Sequence, residues 1–191
     1  MESDQFKKLM AQKALLPKII WGAILVSTII YGVVLAKSAN PAESKLQQLP
    51  QEVFLAMAFV SAIASLAIKQ LLTSPRRLIA NLQKEIPLDK LATHPKTGHI
   101  NAQRLELLKS LNKDEINTYR LYSHLFVPYI LSWVFAESVA IYGFVAAYPS
   151  RDINSFYPYA LATIVLLVLA FPNFDRVIAN VKADPEYMKL R

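Results

Sequence analysis

The chain contains no cysteine. That excludes disulfides, thiolate nucleophiles and cysteine-bound metals, and by itself it leaves the compartment open. Charge is scarce too: Asp, Glu, Lys and Arg make up 18% of the 191 residues, against about 25% in soluble proteins. Catalytic groupings are missing. An enzyme needs at least two convergent ionisable groups, and the sequence offers no nucleophile, base and acid set. Lys96-Thr97-Gly98 lacks the upstream glycine of a phosphate loop. Basic and aromatic residues are not interleaved as in nucleic-acid binders. The chain is therefore read as neither an enzyme nor a nucleic-acid-binding protein.

What is abundant is apolar. Hydrophobic residues make up 54% of the chain and the mean hydropathy is +0.29. They cluster in four segments, each near the roughly 20 residues that a helix needs to cross a bilayer. These are residues 19–36, 53–72, 121–148 and 156–174. The first, "IIWGAILVSTIIYGVVLA", carries no charge and exceeds the roughly 7–15 apolar residues of a signal peptide. It is read as a retained span. The expectation is an all-α membrane protein with four transmembrane helices.

Between the second and third spans lies a polar insert, residues 73–120. Leu78, Ile79, Leu82 and Ile86 recur at helical spacing. Asn101 can cap a second helix running to about Tyr119, with Leu105, Leu108 and Leu111 on one side. His94 and His99 flank the loop between them. Without an acidic or cysteine partner they are read as solvated histidines, and no resident metal site is expected. His124, beside Tyr122, reads as an interfacial anchor. Residues 1–18 and 175–191 form polar tails.

Lysine and arginine set the orientation. The two tails and the insert with its edges hold eighteen of them, and the other two connections hold three. By the positive-inside rule both termini and the insert are cytoplasmic, in a multi-pass protein of the inner (plasma) membrane.

One carboxylate breaks the pattern. Glu137 stands near the middle of the third span, where a charge costs about 2.5–3.5 kcal/mol on insertion scales. A carboxyl can lower that cost by taking up a proton, by binding a cation or by facing a polar cavity. No Lys, Arg or His lies at matching depth in another span. Protonation or a bound metal ion is left, the basic element of an ion carrier. The structural reading is a protonated glutamate hydrogen-bonding a neighbouring helix through Ser61 or Ser65.

The stretch "FAESVAIYGFVAAY" resembles the carboxylate-bearing helix of the c subunit of rotary ATP synthases. The matching residues are Ala136, Glu137, Ile141, Tyr142 and Gly143. The resemblance implies that Glu137 carries H⁺ or Na⁺, with Ser138 and Tyr142 at positions that help hold Na⁺ in sodium-binding members. It also implies a ring of identical copies, packed through small residues of the preceding helix. Here Ala56, Ala58, Ala62 and Ala64 fall at alternate positions. The chain adds a span on each side and a long insert in place of a short loop. It has no mid-depth glutamine counterpart on the preceding helix, which favours H⁺ over Na⁺.

The expected function is thus a homo-oligomeric, c-subunit-like membrane protein that binds or translocates H⁺ at Glu137, with Na⁺ second. Ser138, Tyr142, Ser61 and Ser65 are the expected ligands, and Gly143 and the alanines pack helices. No organic cofactor is expected. A scaffold or assembly protein is the competing reading, in which the helices and insert contact membrane or cytosolic protein partners.

Overall fold

A computed structural model describes residues 3–38, 50–84, 86–93, 98–150 and 152–190. His94 lies outside them. The described residues are helical, with one isolated antiparallel bridge, Thr93 to Ile100, and no strand. The helices are α1 (Asp4–Ser38), α2 (Gln51–Leu72), α3 (Pro75–Gln83), α4 (Leu88–Ala92), α5 (Ala102–Ser110), α6 (Lys113–Ala147), α7 (Ile153–Leu169), α8 (Phe174–Lys182) and α9 (Pro185–Met188). They form two compact units: Met1–Leu15, Thr73–Leu125 and Asn173–Arg191 make one, and Leu16–Leu72 with Phe126–Pro172 makes the other. The long helices α1 and α6 each contribute to both.

The first unit is built from segments that read as polar. The N-terminal stretch is amphipathic rather than a plain tail. Phe6 is buried with Ala92, Leu108, Leu111 and Tyr119, and Leu9 and Met10 pack against that cluster. Leu78, Ile79 and Leu82 form the buried face of α3, and Phe174, Ile178 and Val181 that of α8. The two helices pack together. Arg120 closes the C-terminal end of α3, donating to the carbonyls of Asn81 (3.1 Å), Leu82 (3.1 Å) and Lys84 (2.6 Å).

The helix expected to run from Asn101 to about Tyr119 is two helices. Asn101 does cap α5, its side chain accepting from the Arg104 amide at 3.0 Å. α5 then stops at Ser110, and α6 starts at Lys113. The cause is a reciprocal cap that the sequence "NKDE" encodes. The Asn112 side chain accepts from the Glu115 amide (2.9 Å), and Glu115 accepts from the Asn112 amide (3.0 Å). Glu115 also takes the Ser3 amide at 2.7 Å, which ties the start of the chain to α6.

In the second unit α1, α2 and α6 carry the first three apolar segments. These three helices are long and apolar enough to cross a membrane. The fourth segment, 156–174, is not one helix. α7 has 17 residues, about 25 Å of rise, short of the roughly 30 Å hydrocarbon core. It counts as a span only if joined to α8 across a break. Pro172 has no amide to continue the helix, and Asn173 caps α8 by accepting from the Arg176 amide at 3.3 Å.

The break leaves carbonyls at the end of α7, and in an apolar setting each needs a donor. Trp21 Nε1 donates to Leu167 O (2.9 Å) and Trp133 Nε1 to Ala170 O (2.8 Å). The Lys69 ammonium donates to Leu169 O. Three side chains from three helices thus finish a helix that stops early.

Candidate functional site

Glu137 sits on α6, half-buried, one residue after Ala136, whose carbonyl accepts from the Thr163 hydroxyl of α7 at 3.2 Å. Its closest partner is on α1: Ser27 Oγ lies 2.6 Å from Glu137 Oε1. The Tyr31 hydroxyl, one turn further along α1, lies 3.4 Å from the same oxygen. The Tyr31 ring is steadied by Phe144, with centroids 5.4 Å apart.

Ser27 Oγ is also 2.7 Å from Ile24 O in its own helix. A serine hydroxyl has one proton to give, and a carbonyl can only accept. When Ser27 donates to Ile24 O, the 2.6 Å contact is made by a proton on Glu137. When Glu137 is ionised, Ser27 turns its proton to the carboxylate, and 2.6 Å lies within the charge-assisted range of about 2.5–2.7 Å. Ile24 O keeps the Thr28 hydroxyl at 3.3 Å. One hydroxyl rotation therefore serves both protonation states without moving a heavy atom.

The residues expected around Glu137 are placed differently. Ser138 donates to Val134 O, one turn back in its own helix, at 2.9 Å. Tyr142 is half-buried and makes no hydrogen bond to Glu137; its expected place is taken by Tyr31. Ser65 is buried and joined to Ser132, hydroxyl to hydroxyl at 3.1 Å, and each hydroxyl also reaches the other's carbonyl, at 2.9 and 3.0 Å. This pair links α2 to α6 five residues before the carboxylate. Ser61 is buried on the same side of α2. So α2 supplies a polar lock rather than a ligand.

The alternate alanines do not form one stripe. In a helix, residues two apart point about 200° apart. Ala58 is buried and shares with Ala62 a groove lined by Val139, Tyr159 and Ala162, whereas Ala56 is exposed. Ala64 is half-buried. The continuous small-residue face is on α6: Ala136, Ala140, Gly143 and Ala147 are all buried. Ala140 and Ala147 pack with Leu35 and Phe156, and Gly143 lies against Tyr159.

Ser27 and Tyr31 have a sequence signal of their own. With Thr28 they are the only hydroxyls in the first apolar run, and Ser27 and Tyr31 stand four apart on one face. Among the described residues no three His, Cys, Asp or Glu side chains converge. No family model matches the chain, and neither a curated protein nor a solved structure matches it.

Proposed function

We propose that the chain is a multi-pass inner-membrane protein that binds and releases a proton at Glu137, as the c-subunit resemblance suggests. Its four spans are carried by α1, α2, α6 and residues 156–174, which include most of α7, and both termini, with α8, and the 73–120 insert are cytoplasmic. The Ser27 hydroxyl between Glu137 and Ile24 O carries this reading. A carboxyl that is satisfied with and without its proton exchanges it at little structural cost. Ser27 and Tyr31 line the site, H⁺ is the favoured ion over Na⁺, and the protein assembles as a homo-oligomer.

One observation favours the scaffold reading. The donors to Glu137 come from its own chain, and the small-residue face of α6 is filled by α1 and α7. On this reading the carboxyl is an interhelical tie and the insert binds a cytosolic protein.

Labelling Glu137 with a hydrophobic carbodiimide, read by mass spectrometry across pH and with or without Na⁺, separates the two. Proton binding predicts labelling that falls as pH rises, without protection by Na⁺. Protection by Na⁺ would make sodium the ion. No labelling at any pH would favour the scaffold. Glu137→Gln should abolish proton coupling and leave assembly intact, whereas in a scaffold it should matter little, because Gln keeps the hydrogen bonds. A ring further predicts a mass of many identical copies.

A further inference from the structure

Two cations meet on one ring in the first unit. The Lys13 ammonium of α1 lies 3.4 Å from the centroid of the Tyr119 ring and donates to Ser123 Oγ at 2.7 Å. Arg104 of α5 donates to the Tyr119 hydroxyl, its guanidinium carbon 5.5 Å from the same centroid. Tyr119 is 1% exposed, and the cluster around it is apolar: Phe6, Leu105, Leu108 and Ile116. The ion pairs among the described residues are Lys7 with Asp4 and Lys182 with Asp114. Among the described residues neither Lys13 nor Arg104 pairs with a carboxylate. Burial, and then the charge of Arg104, hold the Lys13 amine down to about 7.

Two like charges sharing one phenol, with no carboxylate beside them among the described residues, repel; the repulsion is relieved when Lys13 gives up its proton or when an anion joins the two. The chemistry of the pair selects the anion. A guanidinium offers a planar fork of donors that matches phosphate oxygens, and an ammonium adds a point charge. The cluster opens outward: Ser123 is exposed, and Lys13 and Arg104 are half-buried.

We propose that Lys13 and Arg104 form a binding site for a phosphate group. The phosphate belongs either to a small solute or to an anionic lipid headgroup. The second source rests on the membrane reading, because Lys13 precedes the first apolar run on the side assigned to the cytoplasm. Tyr119 holds the two cations at a fixed separation, and Ser123 supplies a hydroxyl at the open edge.

The test uses the full chain in a neutral detergent. Acylation of Lys13 by an N-hydroxysuccinimide ester is followed by peptide mass spectrometry, with exposed Lys109 as the internal reference. Inorganic phosphate is compared with chloride at equal ionic strength. A second arm compares vesicles of phosphatidylglycerol with vesicles of phosphatidylcholine. A bound phosphate that raises the Lys13 pKa by one unit slows its acylation about fivefold at pH 7, and Lys109 is unaffected. Protection by inorganic phosphate assigns a soluble ligand. Protection by phosphatidylglycerol alone assigns a headgroup. Arg104→Gln should weaken the protection, and Arg104→Lys, which keeps the charge but loses the fork, should restore only part of it. Equal acylation of Lys13 under all conditions, or full protection in Arg104→Gln, would overturn the proposal.

Discussion

Gly143 of α6 faces Tyr159 of α7 so closely that a Cβ on Gly143 would lie 2.3 Å from the Tyr159 Cβ and 2.4 Å from its Cγ. Real Cβ atoms do not approach so near, and the atoms they would meet are the rigid base of a side chain. Gly143→Ala therefore forces α6 and α7 apart. The expected loss is about 1–3 kcal/mol of stability, the range for overpacked cores, read as a lower thermal midpoint in detergent. Adding Tyr159→Ala removes the ring contacts and keeps the Cβ contact, so rescue should be partial. Full rescue would mean that the ring alone sets the spacing.

The hydroxyl of Ser27 is the closer of the two that reach Glu137 Oε1 and serves both of its protonation states. Ser27→Ala removes the group that occupies the acid proton and leaves only the 3.4 Å contact to Tyr31. Carbodiimide labelling of Glu137 should then be faster than in the wild type. Ser138→Ala should label like the wild type, since the Ser138 hydroxyl is turned to Val134 O. The reverse order would return the site to the residues that the c-subunit resemblance points to.

Much of the α-helical plan is legible in the sequence because long uncharged runs leave a backbone few choices. Polar detail is less so. Ser27 and Tyr31 look like ordinary packing residues until α1 is laid beside α6, which no local pattern dictates. The break after Leu169 is foreshadowed by Pro172 and Asn173, but a run of apolar residues masks it. The alternate alanines mislead because alternation is a strand period, and a helix sends Ala56 and Ala58 to different faces. "NKDE" at 112–115 is a readable start signal that competes with the leucine periodicity through Leu111.

Arg120 is 7% exposed and pairs with no acid among the described residues; its charge is met by the three carbonyls that end α3. Arg120→Met leaves those carbonyls without their donors, at about 1–3 kcal/mol for a buried group left unsatisfied. Amide exchange in α3 should rise along with the lower unfolding midpoint. Arg120→Lys should not restore it, because one ammonium cannot fork to Asn81, Leu82 and Lys84 together. Protection of α3 in Arg120→Met equal to that of the wild type would show that the guanidinium is not its cap.

Lys13 gives a pH dependence of unusual sign. Its amine is held at about 7 in the folded chain, against an ordinary value of 10.5, first by burial and then by Arg104. The unfolded chain thus binds the extra proton between those two values, and stability rises with pH across that window. Below about 7 the penalty is full and constant; above 10.5 it is gone. The contrast with Lys13→Met isolates this group from the others that titrate nearby. The wild type should gain stability from pH 7 to pH 9 relative to the variant, and the variant should be the more stable protein at pH 6. Phosphate should narrow that gap, because an anion between Lys13 and Arg104 favours the charged amine. A variant less stable than the wild type at pH 6 would mean that the contact with the Tyr119 ring outweighs burial.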